Sequence, residues 1–182
     1  MPSVTLNPSK DAHVDQSNPT VNYDTIDLQV RANISSNEKM SFIEFDISSL
    51  PGNIIIDTAK LRLKKATNPL LGKTLNIHRV TSTWNDTTIT FNTVPTISSD
   101  ILESWIVSSG GINTYVEKDI KRFVDMWHLG IQSNFGIRII DIGIDNEIMW
   151  FHRSETPGNE PELVITYHTF TASVEQNDLW AV

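Results

Sequence analysis

The 182-residue chain contains no cysteine. Without cysteine, it can have neither a disulfide framework nor a metal site built from thiolates. The absence leaves the cellular compartment open, because surface proteins of bacteria also do without cysteine. The length suffices for one domain with a real core and is too short for two comfortable ones.

Basic residues are few, and long hydrophobic runs are absent. The chain has 14 Lys and Arg against 22 Asp and Glu, a net charge of −8. Binding a phosphate backbone needs a basic surface, so we expect no nucleic-acid partner. No segment approaches the roughly 18 apolar residues of a transmembrane helix, and we expect no membrane insertion. The N-terminus lacks signal-peptide features, which indicates either use without a secretory signal or a piece cut from a longer protein.

The short motifs of common catalytic sites are also missing. Five histidines occur, but no two of them have metal-ligand spacing on one element. No GxSxG or HExxH motif is present. The many acidic residues guarantee carboxylate pairs by chance, so such pairs do not indicate a hydrolase. We therefore expect a protein that is not an enzyme and that needs no catalytic cofactor.

What the chain does have is a clear two-residue period. Between residues 58 and 64, the apolar residues Ala59, Leu61 and Leu63 alternate with three cations. This pattern is typical of a strand with one buried and one wet face. Because similar short strands recur between turns rich in Pro, Gly and Asn, we predict an all-β fold, an antiparallel β-sandwich of jelly-roll type. The predicted strands lie at 12–14, 26–31, 40–45, 58–65, 75–80, 89–91, 136–142, 147–152 and 162–167.

One segment breaks the strand pattern. In residues 117–130, Ile120, Phe123 and Trp127 fall at the spacing of one apolar helical stripe. Asp119 is a plausible N-terminal cap. We predict one short helix here that lies over an end of the sandwich.

Five longer motifs follow one another along the chain. They are KDAHV (10–14) with NYD (22–24), FIEFDISSLPGN (42–53) with TAKLRL (58–63), HRVTSTWNDTTITFNTVP (78–95), DIKRFVDMWHLGIQSNFGIRI (119–139) and FHRSETPGNEPELVITY (151–167). In this order they resemble the DNRLRE domain, a β-sandwich module related to the disaggregatase repeats of methanogens and similar to carbohydrate-binding modules. The resemblance covers residues 9–167, and it is the order of the motifs that makes it specific.

The resemblance implies a non-catalytic module on an extracellular surface or a virion. Relatives occur on secreted polysaccharide-degrading enzymes, in surface proteins and among phage structural proteins, and some hold acidic polysaccharides such as alginate. One implied function is therefore binding or adhesion, with polysaccharide as the partner, and the other is decoration of a phage particle. A polysaccharide-degrading enzyme is a distant third alternative, which would rest on the chain's carboxylates and not on the resemblance. The chain departs from the family at His13, Asp24 and Phe91, where Tyr, Gly and Trp are usual. These departures weaken any transfer of ligand contacts.

Sugar binding requires exposed aromatic rings, since the CH faces of sugars stack on them. Phe151 matches the family core, so its neighbours Trp150 and His152 are expected to face outward. The candidate glycan-binding residues are Trp105, Arg138, Trp150, His152 and Arg153. The alternative is that these side chains pack against loops or a neighbouring subunit.

Two aspartates are candidates for a structural metal site. Asp11 and Asp46 would help to hold Ca²⁺ through carboxylate and backbone oxygens. The alternative is that both are solvated aspartates in turns. We expect no other cofactor.

The residues after the family match form a separate extension. Alternation around Phe170 predicts one further strand, and the chain ends in the apolar sequence LWAV. We expect a sandwich domain at 1–168 and an extension at 169–182 that docks onto another copy or another structural protein. The docking candidates are Phe170, Val174, Leu179, Trp180 and Val182. The alternative is a strand that pads its own sandwich.

Overall fold

The computed structural model of the protein describes residues 1–67, 69–100 and 103–170. These residues form eleven strands and one α-helix. In chain order they are β1 (Ser3–Leu6), β2 (Pro8–Asp15), β3 (Leu28–Val30), β4 (Lys39–Phe45), β5 (Ile54–Lys64), β6 (Lys73–Arg79), β7 (Glu103–Val107), β8 (Tyr115–Asp119), α1 (Lys121–His128), β9 (Ile137–Asp141), β10 (Met149–Phe151) and β11 (Glu162–Thr169).

The strands form two antiparallel layers that face each other. The first layer has the strand order β2-β4-β9-β6-β7, and the second has the order β1-β11-β5-β8. The small sheet β10-β3 continues the second layer, because Lys65 bridges Phe151 and the His152 N–H donates to the Lys64 carbonyl at 3.0 Å. The prediction of an all-β antiparallel sandwich is therefore confirmed. Consecutive strands change layer as in a jelly roll, except from β6 to β7 and from β10 to β11.

Alternate residues of the strands fill the space between the layers. In β5, Ala59, Leu61 and Leu63 are fully buried, whereas the cations between them face outward. The buried residues pack with side chains of the first layer such as Ile77 and Ile139. Burial of each large apolar side chain stabilises the fold by about 1.5–3 kcal/mol. The two-residue period thus decides which face of β5 reaches solvent.

A segment between β6 and β7, residues 80–97, covers part of the outer face of the first layer. Trp84 packs on Phe42 of β4 with ring centroids 5.8 Å apart, and its indole N–H donates to the Phe135 carbonyl at 2.9 Å. This second apolar cluster centres on β2 and β4. The strand predicted at 89–91 is wrong, because Phe91–Thr93 is a 3₁₀ turn within the covering segment.

Three strands, β1, β7 and β8, had no clear sequence signal. Each lies at an edge of its sheet. Edge strands are half exposed, so their alternation of apolar and polar residues is blurred. In β7, for example, Trp105 and Val107 are buried while the apolar Ile106 between them is 80% exposed.

The predicted helix exists but is shorter than residues 117–130. Residues 117–119 belong to β8, and the helix begins at Lys121. The N-cap residue is Ile120, not the predicted Asp119, and its side chain makes no capping bond. Asp119 precedes it, and its Oδ1 atom accepts the Lys121 backbone N–H at 2.8 Å. Phe123 and Trp127 are buried and join the core between the layers.

Candidate functional site

Trp105 belongs to the core of the sandwich. It is only 6% exposed and stacks on Phe151, with ring centroids 6.5 Å apart and an interplanar angle of 11°. An indole with its face packed in the core cannot offer that face to a sugar. The structure therefore removes Trp105 from the candidate glycan-binding residues, and the alternative of packing holds for it.

Arg138 faces outward from the first layer. It pairs across the sheet with Phe42 and His78, and the Phe42 side chain lies under the covering segment on the outer face. Trp150 belongs to β10, which continues the second layer. The two side chains lie on opposite layers, so Arg138 does not join Trp150 in one patch as expected.

Trp150 and His152 stay together on the second layer. Met149 and Phe151 are fully buried and Trp150 is half-buried, as their alternation along the strand predicts. The Nε2 atom of His152 lies 3.2 Å from Oδ1 of Asn113, and its Nδ1 atom lies 3.5 Å from Oδ2 of Asp27. The imidazole is thus held between two loops at the surface of the sheet.

Arg153 is already bound within the protein. Its guanidinium donates to the Asp24 carbonyl at 3.3 Å and pairs with Glu155 at 3.2 Å. Its backbone N–H donates to Asp27 at 3.3 Å. A ligand that used this guanidinium would compete with the Glu155 carboxylate.

A row of three side chains crosses the second layer. His152 lies opposite Lys64, and Lys64 lies opposite Tyr115 on the other side of β5. Directly paired residues project from the same side of a sheet. Since Leu63 and Lys65 are buried, the three members of the row face outward. The Lys64 ammonium lies 5.4 Å from the Tyr115 ring centroid.

Two further cations extend this row along β5. The Arg62 guanidinium lies 4.3 Å from the Tyr115 ring centroid, which is a cation–π contact. Lys60 lies next along the strand on the same face and borders a cleft of about 420 Å³ with Arg62 and Glu117. We call this surface the basic face. It consists of Lys60, Arg62, Lys64, Tyr115 and His152.

Two carboxylates partly neutralise the basic face. Glu117 lies 3.2 Å from Lys60 and 2.9 Å from Arg62, and Glu162 pairs with Arg62. The hydrogen bond from Lys60, with help from Arg62, holds the pKa of Glu117 below its usual range. An anionic ligand would therefore replace ionised carboxylates as the partner of these cations.

The phenol of Tyr115 has a fixed place on the basic face. Its hydroxyl donates to the Glu160 carbonyl at 3.2 Å, and burial raises its pKa, so it stays protonated at neutral pH. The Lys64 ammonium donates to Asn159 in the same loop. The ring therefore stays against Arg62 and Lys64. A sugar would stack on the ring surface that these two cations leave open, while the cations bind its acid groups.

The two calcium candidates have different partners. Asp11 accepts the Ser154 N–H at 2.8 Å and the Ser154 hydroxyl at 2.9 Å, whereas exposed Asp46 accepts the Ser48 N–H at 2.8 Å. Asp11 pairs with Ile43, three residues before Asp46, which separates the aspartates by about 10 Å along the strand. Over the described ranges no three His, Asp or Glu side chains are placed to hold a metal. No observation on the described residues joins Asp11 and Asp46 in one site, and a structural calcium held by them stays a prediction.

Asp11 instead makes the stability of the protein depend on pH. Burial raises the pKa of its carboxyl to about 6 from 3.8, against the effect of the Ser154 hydrogen bonds. The stability contributed by protonated Asp11 is complete below about pH 4 and is lost as pH rises through 6. The shift corresponds to about 3 kcal/mol. Relative to wild type, Asp11→Asn should therefore gain about 3 kcal/mol in unfolding free energy between pH 4 and 7, measured in urea.

His13 should change the pH dependence of stability in the opposite direction to Asp11. Burial and the Lys39 charge lower the pKa of its imidazole to about 4 from 6.5, so the wild type loses stability as pH falls through this window. The ring stacks on Tyr23 with centroids 4.6 Å apart, which phenylalanine would preserve. His13→Phe should therefore gain stability relative to wild type as pH falls. Curves parallel to wild type for both variants would contradict the assignments.

Most of the predicted docking segment lies outside the described residues. The docking candidates outside the described residues are Val174, Leu179, Trp180 and Val182. Phe170 is described: its side chain is 48% exposed, and its backbone N–H donates to the Asn53 carbonyl at 3.3 Å. Docking through this extension stays a prediction.

An antiparallel sandwich with aromatic and cationic side chains on one outward face has the architecture of a sugar-binding module. The chain belongs to carbohydrate-binding module family 96, whose model matches residues 2–167. This confirms the expectation of a carbohydrate-binding-module-like family, although not under the DNRLRE name. Family membership is compatible with an extracellular location. No helix within the described ranges is long and apolar enough to cross a membrane.

A gellan lyase from a Bacillus species is a relative of this chain. The two are 26% identical over 166 residues. The aligned region is 90% of this chain but 7% of the relative. The chain therefore resembles a small part of a much larger enzyme.

Proposed function

We propose that this module binds an acidic, uronate-containing polysaccharide on the basic face without cleaving it. The observation that carries the proposal is the Tyr115 ring, with Arg62 and Lys64 against it and His152 in the same row. A sugar ring would stack on exposed aromatic surface while its carboxylate binds a cation. The family and the gellan lyase relative support polysaccharide as the ligand class.

Electrostatics make this binding local and sensitive to salt. The whole chain carries a net charge of −8 and repels an acidic polymer on average. Attraction arises only where the cations of β5 lie together, and salt screens such exposed charges over about 8–10 Å. The polymer also competes with Glu117 and Glu162 for the cations. We therefore expect modest affinity per site that falls as salt rises.

The test is retention of the protein by polysaccharide in a native gel. Gels that contain gellan or alginate should retard the wild type, and gels that contain neutral pullulan should not. The double variant Arg62→Gln/Lys64→Gln should lose about tenfold in affinity, equivalent to about 1.4 kcal/mol, because two of the partner charges are gone. Tyr115→Ala should lose a similar amount through lost stacking.

A matched control removes two cations elsewhere. Lys121 pairs with Asp125 on the helix, and Lys10 pairs with Glu44 at 2.9 Å on the first layer. Neither cation is a member of the basic face. Lys10→Gln/Lys121→Gln makes the same change in net charge and should bind as the wild type does. Equal losses in both double variants would show a general charge effect and contradict the site. No retention of the wild type by either acidic polymer would overturn the function.

The residues Trp150 and Arg153 remain proposals for the border of this site. Trp150→Ala should weaken binding if the polymer extends past His152 over β10. Arg153→Ala tests whether the guanidinium leaves Glu155 for the ligand. Either variant that binds as tightly as wild type excludes that residue from the site.

Adhesion to a glycan-coated surface would follow from the same binding. Decoration of a virion would need the extension after Thr169, of which only Phe170 is described, and no observation on the described residues favours it. Lyase activity is not proposed either, because the chain spans about 7% of the length of the gellan lyase.

A further inference from the structure

Three polar side chains lie together on the outer face of the first layer, opposite to the basic face. Asn76 and His78 project from the same side of β6, and His78 lies directly opposite Arg138 of β9. Asn76 and His78 are 5% and 6% exposed, and Arg138 is half-buried. Apolar Met40 and Ile140 flank the group. A cation, an amide and an imidazole thus share one largely dry surface.

These groups are short of hydrogen-bond partners. Within the described residues, the Nε atom of Arg138 is buried without one. The His78 ring faces backbone groups of Ser98 and Asp100, but neither ring nitrogen meets a partner at good hydrogen-bond geometry. The contact between the Arg138 guanidinium and the Met40 sulfur, at 3.8 Å, is weak. Buried polar atoms are nearly always paired, so such a cluster of exceptions indicates a missing water, ion or ligand.

The charges favour an anion as the missing partner. Arg138 forms no direct ion pair with any described carboxylate, and Glu38 is the acid that acts on it from a distance. Burial lowers the pKa of Arg138, and burial together with Arg138 lowers the pKa of His78, against backbone groups of Ser98 and Asp100. Both shifts have the direction expected for a positive site that lacks its counter-charge.

We propose that Asn76, His78 and Arg138 form a second binding site, for one oxyanion group of a ligand, either a carboxylate or a sulfate. The planar guanidinium matches such a group with two parallel N–H donors. The Asn76 amide and the His78 ring supply further donors beside it. The site uses none of the residues of the basic face, so it stands or falls independently of the proposed polysaccharide binding.

The test follows the His78 ring by NMR while a small anion is added. The probes are sodium glucuronate for the carboxylate and sodium sulfate for the sulfate, each against sodium chloride at equal ionic strength. The His78 signal is assigned by its loss in His78→Gln. One or both probes should give a saturable shift of this signal and raise the pKa of His78 by about one unit, because a bound anion favours the protonated ring. The probe with the larger effect identifies the oxyanion.

Three variants separate this site from general charge effects. Arg138→Gln should raise the pKa of His78 by itself, through loss of the neighbouring charge, and should abolish the response to the probe. Asn76→Asp places an internal carboxylate beside Arg138 and should have the same two effects while preserving side-chain shape. Arg62→Gln, on the basic face, should leave the response unchanged.

Two results would overturn the proposal. One is the absence of a saturable response to either probe at about 50 mM, where a site of millimolar affinity would be filled. The other is a response that persists in Asn76→Asp or Arg138→Gln while their melting curves match wild type. If Arg138→Gln does not fold, Asn76→Asp decides alone.

Discussion

Replacing Gly136 with alanine should destabilise the protein by about 2–5 kcal/mol in unfolding free energy. The backbone at Gly136 has φ +81°, where an L side chain costs about 1–2 kcal/mol. An added Cβ would also overlap the Ile43 carbonyl oxygen and lie 2.9 Å from Cα of Glu44. Those atoms belong to the neighbouring strand β4 and cannot move aside as a flexible side chain would, so overpacking adds about 1–3 kcal/mol. Urea unfolding measures the loss.

Gly158 is the matched control for this substitution. It has φ +77°, nearly the same backbone strain, but an added Cβ would have no atom within 4 Å. Gly158→Ala should therefore cost only the conformational part, about 1–2 kcal/mol. Equal effects of the two substitutions would mean that the close approach of β9 to β4 does not limit the fold. The difference between the variants isolates the steric contribution.

The sequence predicted the central strands well, because their burial follows a regular period. Ala59, Leu61 and Leu63 face the core as expected, and Met149 and Phe151 alternate with half-buried Trp150. At the edges the same logic fails. Ile106 is apolar but 80% exposed, so the sequence of β7 does not alternate between apolar and polar residues although its burial does.

Trp105 shows why the candidate site could be predicted only in part. The stretch Ser104-Trp105-Ile106 lies between polar loops, which favours a surface position for the indole. Its strand instead pairs with β6, and this register turns the indole into the core. Which side chains of a short strand are buried depends on its pairing register. A shift of one residue moves every side chain to the opposite face of the sheet. Trp150 was placed correctly because Phe151 fixed the phase of β10.

The basic face was missed for a different reason. The alternation along β5 predicts only that its cations form the wet side of a strand, which is correct. What makes them a candidate site is their neighbours: Tyr115 and His152 come from strands or loops far along the chain and meet at Lys64 through pairing on both sides of β5. Local patterns carry no information on such pairing, so only the three-dimensional structure brings the row together.

The two proposed sites differ in whether their cations already have partners within the protein. On the basic face, each arginine or lysine has a carboxylate or carbonyl partner, so a ligand gains only the difference between old and new contacts. At Arg138, no direct ion pair with a described residue must be broken, and burial leaves the surroundings drier. A single small anion should therefore suffice to detect the second site, whereas the basic face should need a polymer with several contacts.

Replacing Lys73 with methionine should destabilise the protein by about 3–5 kcal/mol, because it leaves a buried carboxylate without its partner. The Lys73 side chain is fully buried, and its ammonium lies 3.1 Å from Asp141, which is fully buried too. The ammonium also binds Asp145 and donates to the Glu147 carbonyl at 2.9 Å. It therefore joins the start of β6 to the loop after β9.

The partner variant tests whether the unpaired charge causes that loss. In Lys73→Met/Asp141→Asn, the amide oxygen still accepts the Gly143 N–H, a bond of 2.8 Å in the wild type, but no charge remains buried at 141. This double variant should recover at least about half of the lost stability in urea unfolding, since a neutral buried pair costs far less than a lone ion. Lys121→Met, which breaks the exposed pair with Asp125, should change stability by no more than about 0.5 kcal/mol. If Lys73→Met were as mild as Lys121→Met, or if Asp141→Asn gave no recovery, the buried pair would not be what fixes this end of the sandwich.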